Sequence, residues 1–389
     1  MRLDAPSALL GGLSPAGFMR RHWQKRPLRV RAAMPDVVAP ASRRQLFELA
    51  ASDDVESRVV ERSGPQWKVR HGPFTRRSLP AFGKPGWTLL VQGVDLHLQA
   101  GRRLLDAFRF VPDARLDDLM VSWASDGGGV GPHVDAYDVF LLQVQGRRRW
   151  RIGRVDDDAF VPGLPLKILR SFEPEHDWVL EPGDLLYLPP RWGHDGIASG
   201  ECMTCSIGFR VPTAADLATQ LLQRMADLDE LAAVATAGRR GRLVDRLYRD
   251  PGQPAAVCPA AVPEALQAFA RRELQRQLSR PGAVERALGE WLSEPKDRVW
   301  FEADRGGRGH DASPGVRLDR RTRMLYDARH LFVNGEAFLA GGHDRRLLRQ
   351  LADRRRLSGA GCSALSAEAR AVLAEWLRSG WMHAGEDEP

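Results

Sequence analysis

Gly127-Gly128-Gly129-Val130-Gly131-Pro132-His133-Val134-Asp135-Ala136-Tyr137-Asp138-Val139-Phe140 is the stretch whose reading decides the fold of this chain. It starts as a glycine-rich approach and ends in alternating β-type residues. Between them lies His-x-Asp, two metal-ligand types two residues apart. On a strand such residues point to one face, so His133 and Asp135 are expected to converge. The small residues before them let the backbone pass close to whatever sits there. Taken alone, His133 is an ordinary core or surface histidine, and the pattern needs a third ligand.

Pro182-Gly183-Asp184-Leu185-Leu186-Tyr187-Leu188-Pro189-Pro190-Arg191-Trp192-Gly193-His194 supplies one. Pro-Gly-Asp opens a strand by a tight turn, and Pro189-Pro190 closes it, so His194 is held on stiff backbone. Two histidines and one carboxylate form a facial set that leaves three positions open on Fe(II). His133, Asp135 and His194 are the expected metal ligands and the catalytic centre. Cys202-Met203-Thr204-Cys205 is a weaker metal or redox pattern. It has no second cysteine pair, and a strand would aim its thiols at opposite faces, so it reads as packing.

Outward from these segments, residues 57 to 98 and 116 to 211 read as short strands with Gly/Pro turns, pointing to a sandwich or barrel. Among them are Trp87–Val94, Leu119–Ala124, Asp138–Val144 and Cys202–Arg210, and Arg148-Trp150-Ile152 alternates beyond a turn at Gln145-Gly146-Arg147. Ser14 ahead of Pro15 predicts a capped helix, and a second covers Ser42 to Ala51. Ala214 to Ala237 and Pro263 to Leu292 carry helical spacing. In the tail, Asn334-Gly335 between alternating apolar residues marks a hairpin, flanked by helices near Asp344–Leu351 and Ser366–Ser379, while residues 303 to 315 read as a linker.

The 389 residues suit two or three domains, and no apolar run approaches a membrane span or a signal peptide. Four scattered cysteines in so long a chain argue against a disulfide framework and for the cytoplasm. A net charge of +7 suits an acidic partner such as nucleic acid, but it rests on dispersed arginines with no dense basic block, leaving direct nucleic-acid binding open.

Several segments together resemble the Jumonji-C/cupin-like oxygenases, and within them the bacterial ribosomal oxygenases. They are His22-Trp23-Gln24-Lys25-Arg26-Pro27, Gly127 to Phe140, Gly146-Arg147-Arg148-Arg149-Trp150-Arg151, Pro182 to Pro190, and Ile207-Gly208-Phe209-Arg210. The resemblance spans residues 14 to 212 and continues, weaker but collinear, into the tail. It implies a mainly β fold with α: a double-stranded β-helix (a cupin-like jelly roll) over 1–212, a helical dimerisation region over 213–299, and a winged-helix-like domain over 300–389.

It also implies Fe(II), the cosubstrate 2-oxoglutarate and O2. The reaction would be 3-hydroxylation of an arginine in large-subunit ribosomal protein L-sixteen, releasing succinate and CO2. A dicarboxylate chelating the metal leaves its far carboxylate buried, where it needs a cation. Arg148, in phase with Trp150, stands where the family places that cation, and Arg147 and Arg149 are expected to face solvent. Ser122 and Ser206 are hydroxyl candidates for the same cosubstrate, with plain strand serines as the competing reading. Tyr137 is placed at the substrate mouth or in the core. Asp118 is either a partner for a basic substrate or a solvated carboxylate. A related oxygenase acting on another protein or on tRNA, and a non-catalytic cupin-like binding protein, stay open as alternatives.

Overall fold

The computed structural model describes residues 2–64, 66–237, 247–251, 254–255, 258–303, 312 and 314–385, with side chains left undescribed at 227–237. The expected linker at 303–315 therefore lies mostly outside the described residues. The chain divides into two compact units, one formed by residues 1–211 with 296–300 and the other by 212–295 with 301–389. No helix among the described residues is long and apolar enough to cross a membrane.

In the first unit, helix α1 (Pro15–Arg21) leads to β1 (Leu28–Val30), α2 (Arg43–Leu49), β2 (Ser57–Ser63), β3 (Gln66–His71) and β4 (Trp87–Val91). Two short helices, α3 (Val94–His97) and α4 (Gln99–Asp106), precede β5 (Leu116–Ala124), β6 (Val139–Arg154), β7 (His176–Leu180), β8 (Leu185–Leu188) and β9 (Trp192–Phe209). The helix starts follow local chemistry. Ser14 Oγ accepts the Gly17 N–H at 3.1 Å, and Ser42 with Gln45 forms a reciprocal capping box.

All nine strands join one antiparallel sheet ordered β1-β8-β6-β9-β5-β4-β2-β3, with β7 on the flank of β6. Strand parity divides its two faces. Trp87, Leu89, Val121 and Trp123 enter a core with Phe18, Phe140 and Tyr187, whereas Thr88, Leu90, Met120 and Ser122 line a cavity of about 380 Å³. Phe18 and Tyr187 meet edge to face at 4.9 Å, a packing that adds to plain burial.

The helical stretch expected over Pro263 to Leu292 is two helices broken at Arg280-Pro281-Gly282, the strand expected to reach Val94 ends at Val91, and two expectations nearer the cavity also differ from the structure. The turn expected at Gln145-Gly146-Arg147 is a bulge inside one continuous strand: two residues of β6 (Gln143 to Gln145) pass one of β9 (Thr204 to Met203). Gly146 has φ of +62°, which a side chain would strain. The bulge reverses parity along β6, so that Val139 and Leu141 before it and Arg148 and Trp150 after it all line the same cavity. His-x-Asp, in turn, lies on a loop, tied to β9 by a bridge between His133 and His194 and by backbone hydrogen bonds of Gly127 and Gly128 with Ala198. Gly131, at φ +79°, bends the chain there, and Trp67 and Ile168 leave no room for a Cβ.

The second unit comprises α5 (Ala214–Ala237), α6 (Glu264–Leu278) and α7 (Ala283–Ser293), then β10 (Val316–Leu318), β11 (Met324–Tyr326), β12 (His330–Val333) and β13 (Glu336–Leu339). It ends with α8 (Gly342–Arg354), β14 (Arg356–Leu357), α9 (Gly359–Ser363), α10 (Ala367–Arg378) and β15 (Met382–Ala384). The Asn334-Gly335 hairpin joins β12 to β13, with φ of +51° and +91° at its tip, the backbone those two residues tolerate best. Leu331, Val333, Leu347, Leu351, Leu373 and Trp376 form this unit's core.

Candidate metal centre and cosubstrate cavity

His194 is the third residue of β9, and its backbone exchanges two hydrogen bonds with His133: N–H to O at 2.8 Å one way and 3.0 Å the other. That bridge sets the imidazoles 4.1 Å apart, centroid to centroid. The Nδ1 atoms face backbone carbonyls, His133 to Gly131 O at 2.9 Å and His194 to Trp192 O at 3.1 Å. Those acceptors assign the ring proton to Nδ1 and leave each Nε2 lone pair free. Asp135 Oδ2 lies 3.6 Å from His194 Nε2. One ligand atom from each of His133, Asp135 and His194 falls within 4.8 Å of the others. The donor set is two imidazoles and one carboxylate, which suits a divalent transition metal.

Burial, then the neighbouring His133, push the His194 imidazole down to about 4, against the opposing pull of Asp135. His194 is therefore neutral near pH 7. Beside it, buried Asp195 is paired with Arg151. Gly196 leaves room for Trp150, whose ring would lie 2.6 Å from a Cβ placed there.

Arg148 enters the same cavity from β6 and is buried. Its Nη1 donates to Ser122 Oγ at 3.2 Å, while buried Nε and Nη2 have no partner among the described residues. A desolvated guanidinium with free donors fits a carboxylate that binds through two oxygens. Ser206 lines the cavity as well. Arg147 and Arg149 are exposed, the latter paired with Asp177. Buried Cys202 and Cys205 pack into separate apolar clusters.

Tyr137 lines the cavity while 42% exposed. Burial of its hydroxyl, then the Asp135 carboxylate against it, raise its pKa well above the ordinary phenol value. Asp118 corrects one reading, since it is not solvated. It is 4% exposed, and its Oδ2 accepts the Gly93 N–H at 2.9 Å and Gln92 Nε2 at 3.3 Å, with Lys296 Nζ at 3.5 Å. Burial pushes its carboxyl up to about 6, against the pull of Lys296. It is not among the side chains lining the cavity, although β5 carries it two residues before Met120, which is. Sequence reasoning missed Thr88, Arg58 and Lys167, which also line the cavity. Thr88 had a legible signal, a hydroxyl in opposite phase to Trp87 and Leu89.

Comparison with known proteins agrees with this geometry. Residues 103–217 match the JmjC domain and residues 273–383 the ROXA-like winged helix. The chain is 37% identical over 289 residues to the ribosomal protein uL16 3-hydroxylase of Escherichia coli K12, covering 72% of each. A probable ribosomal oxygenase of Haemophilus influenzae is 37% identical over 209 residues, 53% of this chain and 52% of that one. The solved structure of E. coli YcfD superposes with a TM-score of 0.81 at 30% identity, covering 94% of this chain and 96% of that one. A structure of the same protein with cobalt and 2-oxoglutarate gives 0.77 at 30% identity and the same coverage. These matches establish the jelly-roll fold followed by a winged helix, and the chain belongs to the JmjC ribosomal oxygenases.

Proposed function

We propose that this chain is an Fe(II)- and 2-oxoglutarate-dependent oxygenase that hydroxylates an arginine side chain of ribosomal protein uL16 (protein L-sixteen) at C3. The reading rests on one observation: the His133, Asp135 and His194 cluster shares a cavity with the partly unpaired guanidinium of Arg148. When bound, the metal and cosubstrate supply oxidative decarboxylation of 2-oxoglutarate and transfer of one oxygen atom from O2 into a C–H bond. The products are the hydroxylated side chain, succinate and CO2, so both oxygen atoms of O2 are accounted for.

The chain's own residues do the rest. His133, Asp135 and His194 hold the metal on one side and leave adjacent positions to ligands. Arg148, with Ser122 and Ser206 beside it, takes the far carboxylate of the cosubstrate and fixes its depth. Val139, Leu141 and Trp150 keep that end dry, which strengthens the ion pair. Tyr137 stands at the mouth as a wall for the substrate side chain. Asp118, two residues before Met120 on β5 and beside the register shift between Leu116 and Leu119, offers a buried negative charge to a guanidinium. A buried carboxylate with a raised pKa is a common mark of a functional position.

Exposed Leu266, Leu274 and Leu278, spaced on α6, support the 213–299 region as a homodimer contact. A ribosomal substrate supports a cytoplasmic location. The test is mass spectrometry of ribosomal proteins from the source cell and from a deletion strain. One added oxygen on an arginine of uL16, lost in the deletion, is the expected result. An unchanged uL16 would refute the substrate, and absence of Fe(II)-dependent succinate release by the purified chain would refute the chemistry.

A further inference from the structure

We propose that a second cleft, on the other face of β4 and β5 from the catalytic cavity, binds single-stranded RNA. The cleft measures about 460 Å³ and is lined by Phe47, Phe74 and Phe82 with Arg43, Arg44 and Arg76. Its aromatic floor is continuous with the core. Phe47 meets Phe82 edge-on at 5.2 Å and Trp123 at 5.6 Å, and Trp123 also supports Phe82 at 6.0 Å. Trp123 and Trp87 point to this side of the sheet, whereas Thr88 and Ser122 point to the catalytic cavity. An occupant of the cleft therefore leaves the catalytic cavity open.

Phe82 is 37% exposed, and its ring is held in place by those contacts. The Arg76 guanidinium carbon lies 3.9 Å from its centre and that of Arg43 4.5 Å. Arg43 is bonded to Glu201 and Arg44 to Glu48, but the side-chain bond of Arg76 goes to the backbone carbonyl of Pro80. Glu48 also lines the cleft, so its excess positive charge is that of Arg76, and the cleft combines a fixed aromatic ring, guanidinium planes laid over it and one cation without a carboxylate partner among the described residues. Bases stack on aromatic rings and on guanidinium planes, and the arginines neutralise the phosphates. An acidic peptide would match the charge but offers nothing flat to stack, and a basic protein would be repelled. The chain's net charge of +7 favours the same class of partner.

The test is fluorescence anisotropy of the full chain with a labelled, unstructured oligoribonucleotide across a salt series. Saturable binding that weakens as salt rises is expected. Phe82→Ala, and separately Arg43→Glu with Arg76→Glu, should each weaken it roughly tenfold or more in chains that still melt cooperatively and still release succinate. Arg345→Glu with Arg346→Glu, in the second unit, should bind like the wild type. Absence of binding by the wild type, or an equal loss in that control pair, would overturn the site. Displacement of the RNA by polyglutamate as readily as by unlabelled RNA would also overturn it, and would assign the cleft to an acidic peptide.

Discussion

Arg148 and Ser122 are joined by one hydrogen bond of 3.2 Å, from Nη1 to Oγ, which leaves the other donors of a buried guanidinium free. Unpaired buried donors are costly, and a bidentate carboxylate removes the cost. Arg148→Lys keeps the charge but loses the fork, so it is expected to raise KM for 2-oxoglutarate roughly tenfold with a smaller change in kcat. Arg148→Ala should cost roughly a hundredfold or more in kcat/KM. Succinate release measured against cosubstrate concentration checks both, and an unaltered KM in the lysine variant would remove Arg148 from this role.

The His133, Asp135 and His194 cluster predicts stabilisation by metal. Because the ligand atoms already stand within 4.8 Å of one another, the folded chain binds the ion and the unfolded chain largely does not. Mn(II) at a hundredfold excess over its Kd should stabilise the first unit by about 2.7 kcal/mol. Thermal melts with and without metal check this, and chelation by EDTA should reverse the shift. Asp135→Ala and His194→Ala should abolish it together with succinate release. A shift of the same size in either variant would place the metal elsewhere.

What the sequence made legible, and what it did not, follows from the range of the interactions. Ser14 with Pro15 and Asn334-Gly335 act over two to four residues, so each was read in place, whereas the Ser42–Gln45 box, equally local, went unread. The clustering of His133, Asp135 and His194 was legible because residue type carries it, and it survived even though His-x-Asp lies on a loop. The β6 bulge was not legible as such. It is defined by a mismatch in count against β9, whose paired residues lie some sixty positions later in the chain. Its consequence, the placing of Arg148 in the cavity, was reached through the family resemblance, which favours that position, together with its phase with Trp150. Burial of Asp118 depends on Gly93 and on Lys296, far apart in sequence. Nothing near residue 118 announces either partner.

Gly196→Ala tests how closely the metal centre depends on backbone room. The added methyl would press on Trp150, which is itself buried and faces His194 at 5.8 Å between centroids. Overpacking of this kind costs about 1–3 kcal/mol. Denaturant unfolding should show that loss, and metal affinity should fall with it as His194 shifts. A variant with wild-type stability and affinity would show that Trp150 can move aside freely.

Asp118 supplies a pH dependence whose sign is fixed. Its carboxyl is pushed from 3.8 to about 6 in the fold, so between about pH 4 and 6 the folded chain holds more protons than the unfolded one. Stability from this group is therefore lost as pH rises through that window and stays lower above it, by up to about 3 kcal/mol. Asp118→Asn should flatten the slope and raise the melting temperature at pH 7 to 8. Lys296 stays paired in that variant, because Asp117 lies 2.9 Å from its Nζ. If Asp118 receives the substrate guanidinium, the same variant should lose roughly tenfold or more in kcat/KM for the protein substrate. KM for 2-oxoglutarate should not change. A chain made more stable and less active by one substitution would show that this carboxylate is kept charged in the interior for its function. Equal activity in both forms would leave it a purely structural group.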